Sequence, residues 1–120
     1  MHILLADDDE SIAMVARLGL RRAGFTVTVV DNGLAALQAA RETAFDGLVL
    51  DWNMPDLDGI DVCRQLQADP TWTRVPIVFL TGATHDGAEQ EALAAGARGV
   101  IFKPFDPTAV GEQVRAIIEI

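Results

Sequence analysis

Short apolar runs alternate along this chain with longer stretches whose apolar residues recur every three or four positions. The first run, His2-Ile3-Leu4-Leu5-Ala6, ends in the acidic series Asp7-Asp8-Asp9-Glu10. From Ser11 to Ala23, Ile12, Val15, Ala16 and Gly19 fall at helical spacing, and Gly24 supplies the stop. Phe25 to Val30 is rich in β-branched residues and predicts a second strand. Asn32-Gly33 reads as a turn and cap, followed from Leu34 to Thr43 by an Ala-rich helix with Leu37 and Ala40 inward. Gly47 to Leu50 is a third apolar run and ends at Asp51. Trp52 to Asp58 contains Pro55 and predicts a loop, and Ile60 to Ala68 predicts a helix stopped near Asp69-Pro70. Val75 to Leu80 is the fourth predicted strand, closed by Thr81-Gly82. Ala88 to Ala95 predicts a short helix ended by Gly96, and Gly99 to Phe102 the fifth strand. Beyond Lys103-Pro104, the positions of Val110, Val114, Ile117 and Ile118 mark the last helix.

Strands alternating with helices predict a parallel sheet covered on both faces and joined by right-handed crossovers. The strands lack apolar–polar alternation, as strands buried on both faces do. The expected class is therefore α/β: a flavodoxin-like (βα)5 doubly wound sheet in three αβα layers, with strand order 2-1-3-4-5.

Such sheets bind ligands beyond the carboxyl ends of their strands, where the strand order reverses. In this chain the first strand is followed by Asp7 and Asp8, the third by Asp51, the fourth by Thr81 and the fifth by Lys103. The predicted order makes the first and third strands neighbours, so Asp7, Asp8 and Asp51 should converge, with Thr81 and Lys103 on the far side of Asp51. Like charges so close repel and raise one another's pKa. A hard divalent cation relieves that repulsion, and Mg²⁺ suits a few carboxylates plus a phosphate. Lys103 is the only lysine in the chain and adds a point charge suited to a phosphoryl oxygen.

Composition narrows the alternatives. The 120 residues are half hydrophobic, which provides a core and excludes disorder despite a net charge of −9. The 18 acidic against 9 basic residues speak against direct binding to nucleic acid or anionic lipid. Cys63 is the sole cysteine, so no intrachain disulfide can form, and its helical setting predicts a small buried apolar group. Neither a signal peptide nor a membrane span is visible, and the expected location is the cytoplasm.

Ala6-Asp7-Asp8, Leu50-Asp51-Trp52-Asn53-Met54-Pro55 with Asp58-Gly59, Leu80-Thr81-Gly82 and Lys103-Pro104-Phe105 together resemble the signature of receiver domains of two-component response regulators. The resemblance covers residues 1–120 as one receiver domain, and the stretch around Asp51 looks especially like a single-domain chemotaxis regulator. It implies that Asp51 accepts a phosphoryl group from a histidine kinase or a histidine phosphotransfer protein. It implies Mg²⁺ ligation by Asp8, Asp51 and the backbone carbonyl of Asn53, with Asp7 acting through water. Thr81 and Lys103 would hold the phosphoryl oxygens. The implied outcome is a signalling switch, monomeric or weakly dimerising on phosphorylation, whose only catalysis is its own phosphorylation and dephosphorylation. It would act on a downstream effector protein or an attached output domain. A pure interaction module would be expected to have lost some of these residues. An aspartate-nucleophile phosphatase would need an acid where Asn53 stands.

Several residues have plainer expectations. Asp9 and Glu10 should open the first helix, and Asp56 and Asp58 should be loop and cap residues. Asp31, on an edge strand, is read as a cap and not as a metal ligand. His2 and His85 are read as a strand residue and a loop residue at the rim of the site. Trp52 is expected to be a partly exposed loop aromatic that reports on the site by fluorescence, with Trp72 complicating the signal. The resemblance implies a cis peptide at Lys103-Pro104. It also exposes a departure: receivers often carry an aromatic three residues before the lysine, and here that position is Val100. A β-branched side chain cannot make the inward swing of a ring. Output is therefore expected to rely on movement of the loop from Thr81 to Asp86.

Overall fold

The computed structural model describes residues 1–82 and 85–120; Ala83 and Thr84, within the loop expected to move, lie outside the described residues. The strands are β1 (His2–Ala6), β2 (Thr26–Val30), β3 (Gly47–Leu50), β4 (Ile77–Thr81) and β5 (Gly99–Phe102). The helices are α1 (Glu10–Arg22), α2 (Gly33–Glu42), α3 (Gly59–Ala68), α4 (Ala88–Ala95) and α5 (Val110–Ile118). All strand pairs are parallel, in the order β2-β1-β3-β4-β5. This is the expected flavodoxin-like αβα sandwich.

Alternate side chains of each inner strand serve opposite cores, as the pleat requires. Leu4, Leu48, Leu50, Ile77 and Phe79 pack with α2, α3 and α4. Ile3, Leu5, Val49, Val78 and Leu80 pack with α1 and α5. The inner strands thus read as uninterrupted apolar runs because each residue has a core to enter.

Helix starts follow local chemistry. Asp9, Asn32 and Asp58 cap α1, α2 and α3, their side chains accepting from the backbone N–H of Ile12, Ala35 and Asp61. Glu10 lies in the first turn of α1, where the helix dipole favours negative charge. Asp31 instead accepts a hydrogen bond from the Asn32 side chain, so Asn32 is the cap.

The structure differs from expectation on one face. Helix α1 buries Ala13, Ala16, Gly19 and Leu20, while Val15, Met14 and Leu18 are exposed. Of the residues expected at helical spacing, Ala16 and Gly19 are buried and Val15 is not, and α1 meets α5 through glycines. A Cβ on Gly19 would lie 2.5 Å from Val110 Cγ1, and one on Gly111 would lie 2.5 Å from the Gly19 carbonyl oxygen. Strand β4 also begins later than predicted and takes Thr81 as its last residue.

Candidate functional site

The sheet delivers the acids. Asp7 and Asp51 directly follow β1 and β3, which pair Ala6 with Leu50. The Asp51 N–H donates to the Ala6 carbonyl at 2.9 Å, and the Asp7 N–H to the Val30 carbonyl at 3.2 Å. These ladder bonds fix where both carboxylates emerge. Asp7 and Asp51 are buried and Asp8 is exposed, and ligand oxygens of all three lie within 4.8 Å of one another. The expected convergence is present.

Lys103 comes from the far side. Its N–H donates to the Thr81 carbonyl at 2.8 Å, which locks the start of the β5–α5 segment to the end of β4. Its Nζ donates to Asp7 Oδ2 at 2.8 Å and to Asp51 Oδ2 at 3.2 Å. Thr81 is fully buried at the end of β4. The peptide between Lys103 and Pro104 is cis, as the resemblance implied. Asp7 is a direct partner of the lysine. The pairing links residues 96 positions apart and has no local sequence signal.

The charges in this pocket do not balance. Burial, then the neighbouring Asp7 carboxylate, push the Asp51 carboxyl above the usual carboxylate range; Lys103 and the Trp52 N–H only partly offset them. Burial alone would lower the Lys103 ammonium, but Asp7 and Asp51 outweigh it and hold the lysine above its ordinary value. One ammonium thus faces two buried carboxylates, with Asp8 adding a third acid at the rim. Hard oxygen donors carrying excess negative charge fit a divalent cation such as Mg²⁺.

The imbalance predicts a stability effect. A carboxyl whose folded pKa is raised favours folding in its protonated form. That contribution is complete below the unfolded pKa and is lost as pH rises through the folded value. At neutral pH without divalent cations, Asp51→Asn should therefore be more stable than the wild type by on the order of 1 kcal/mol. Urea denaturation in a chelator should show the gap closing as pH falls toward about 4.

Trp52 is more than a neighbour. Its N–H donates to Asp51 Oδ1 at 2.7 Å, and its carbonyl accepts from the Gly59 N–H at 2.8 Å. The indole is only 7% exposed, not the partly exposed aromatic expected from a loop. It packs on Phe79 with ring centroids 5.7 Å apart, and His85 meets it edge-on at 5.1 Å. Burial follows because the loop folds back over the α3 side of the sheet, where Trp52 and Met54 join the core. His85 lines a cavity with Lys103 beside Trp52, and His2 sits in β1 beside Phe45 and Thr28. Trp72 lies after α3, lining a cavity with Phe45, Leu48 and Val75 at the opposite end of the sheet. Emission changes on adding Mg²⁺ should therefore survive Trp72→Phe and vanish in Trp52→Phe.

The remaining expectations are located plainly. Asn53 is exposed in the loop between β3 and α3, and Asp56 in the same loop adopts φ of +70°. Val100 is half-buried and packs against the core beneath α4. Cys63 is fully buried; its Sγ lies 3.1 Å from the Ala95 carbonyl, and burial pushes its thiol up to about 11, so it is unreactive. No helix among the described residues is long and apolar enough to cross a membrane.

Comparison with known proteins agrees with this geometry. A family model described as response regulator receiver domain matches residues 3–115. The DNA-binding response regulator MtrA of Mycolicibacterium paratuberculosis is 43% identical over 115 residues, covering 96% of this chain and 50% of that protein. This chain thus spans about half the length of the MtrA proteins it matches. The chemotaxis protein CheY of Pseudomonas aeruginosa is 36% identical over 120 residues, covering 99% of this chain and 97% of the other. The receiver domain of the sensor histidine kinase PA1611 from Pseudomonas aeruginosa, solved with magnesium in its active-site cleft, superposes with a TM-score of 0.87 at 30% identity. That match covers 99% of this chain and 98% of the other. The chain belongs to the response regulator receiver domain family of two-component signalling.

Proposed function

We propose that Asp51 is the phosphoryl acceptor of this receiver, with Thr81 and Lys103 holding the phosphoryl oxygens. An Asp51 carboxylate oxygen attacks the phosphorus of a phosphohistidine on a histidine kinase or histidine phosphotransfer protein. The phosphorus–nitrogen bond breaks and the imidazole leaves with its electron pair and takes up a proton. Positioning and charge neutralisation carry most of such a transfer. An in-line water then attacks the phosphorus, the bond to the carboxylate oxygen breaks, and inorganic phosphate leaves with the carboxylate restored, so the catalysis is directed only at the domain itself.

Asp8, Asp51 and the Asn53 carbonyl would hold Mg²⁺, with Asp7 acting through water as well as through Lys103. The cation supplies neutralising charge for the incoming phosphoryl group. The response would reach the surface of α4, β5 and α5, and from there an effector protein or an attached output domain. Phosphorylation-dependent weak dimerisation of an otherwise monomeric domain fits the same surface. DNA binding, as named for MtrA, would belong to an attached domain, because the net charge here is −9. The cytoplasm is the setting in which such a partner kinase would be met.

The observation that carries this reading is the facing of Asp51 Oδ2 by Lys103 Nζ, beside two further acids. Wild type and Asp51→Ala are incubated with acetyl phosphate and Mg²⁺ and weighed intact. A gain of one phosphoryl group in the wild type alone supports it. Equal silence from both would leave a binding module without phosphorylation.

A further inference from the structure

Val100 leaves this receiver without the ring that the family resemblance associates with carrying a signal outward. Another aromatic contact stands beside Asp51. Trp52 donates its N–H to Asp51 Oδ1, and its carbonyl is fixed by the Gly59 N–H at the start of α3. A change at this carboxylate therefore bears directly on the Trp52 backbone, next to its indole. The indole is buried against Phe79, and its outer neighbour is the His85 ring, met edge-on at 88° between planes.

His85 meets α4 at two points. Its Nε2 lies 3.4 Å from Glu91 Oε1, and its carbonyl accepts from the Ala88 N–H at 3.1 Å. Helix α4 is poorly anchored. It spans eight residues, begins and ends at left-handed Gly87 and Gly96, and has no side-chain cap at its start. Its buried residues are Ala88, Ala92 and Ala95 only. A helix so short is marginal alone, and alanines bury little apolar surface. Elements of this kind occupy the low-stability end of a fold, where small pushes shift populations.

We propose that His85 is a positioning residue joining Trp52 to Glu91, so that a change at Asp51 reaches α4 through this chain of contacts. The proposal rests on Asp51 being the phosphoryl acceptor. It places the signal in the Trp52–His85 contact and narrows the expected loop movement to its α4 end.

The test compares the wild type with His85→Ala and Glu91→Ala, both substituted at exposed positions, by two measurements. Intact mass after acetyl phosphate and Mg²⁺ reads the acceptor. Amide and indole NMR shifts on adding Mg²⁺ and beryllofluoride, a phosphoryl mimic, read the route. Both variants should gain one phosphoryl group and keep the Trp52 indole shift, while their Ala88–Ala95 amide shifts fall to half the wild-type size or less. Full α4 shifts in His85→Ala, with phosphorylation intact, would overturn the route and leave the acceptor standing. Loss of the indole shift in His85→Ala would also overturn it, because His85 would then act on the acceptor itself. A wild type that gains neither mass nor shifts would overturn both readings.

Discussion

Lys103→Met is expected to slow phosphorylation by acetyl phosphate roughly 10²- to 10³-fold, the usual cost of removing one preorganised charge-stabilising donor. The same change should weaken the Mg²⁺-free fold by about 3 kcal/mol, because two buried carboxylates lose their shared ammonium. Its direction is opposite to that of Asp51→Asn, although each removes one member of the same contact. The distinction is electrostatic. Removing a carboxylate leaves one acid paired with one base, whereas removing the ammonium leaves two acids facing each other. Adding Mg²⁺ should therefore restore more stability to Lys103→Met than to the wild type. Parallel urea titrations with and without Mg²⁺ measure this, and an equal Mg²⁺ increment in both proteins would refute the shared-charge account.

Gly59→Ala should be strongly damaging for a single added methyl group. A Cβ there would lie 2.2 Å from the Asp51 carbonyl oxygen and 2.7 Å from Phe79 Cε1. The oxygen is backbone and cannot retreat without moving Asp51. The ring is wedged against Trp52 and the sheet. Overpacking of this severity costs about 3 kcal/mol, or roughly 10 °C in Tm for a domain of this size. Gly82→Ala is the matched control, since a Cβ at Gly82 meets nothing within 4 Å. Thermal unfolding should leave Gly82→Ala near wild type. A Gly59→Ala protein melting with the wild type would show that α3 can shift freely, contrary to its close seat on Asp51.

Much of this was legible in the sequence because the signals were local. Unbroken apolar runs marked the inner strands and β-branched residues marked β2, and what followed the other four strands named Asp7, Asp8, Asp51, Thr81 and Lys103. Caps were readable from Asp9, Asn32 and Asp58, whose side chains act within three residues. What escaped depends on tertiary contact. The direct Lys103–Asp7 bond joins opposite ends of the chain. The burial of Trp52 follows from how a loop folds back, on which periodicity is silent. On α1, helical spacing found Ala16 and Gly19 but could not show that α5 approaches at Gly19 or that Val15 stays exposed. His85 carried no motif, and only the Trp52 ring beside it gives it a role.

Gly33 bears on how this site can change by descent. It begins α2, yet a Cβ there would lie 1.7 Å from the Leu57 carbonyl oxygen, in the loop that carries Asn53. The Gly33 N–H also donates to the Pro55 carbonyl in that loop. The path of the loop is therefore bracketed from a helix two elements earlier in the chain. A lineage that placed a side chain at Gly33 would have to reroute residues 53–58 in the same step or lose the loop's seat beside Asp51. Position 33 should thus stay glycine for as long as the loop keeps this path, whatever side chain stands at position 57, because the obstacle is main-chain oxygen.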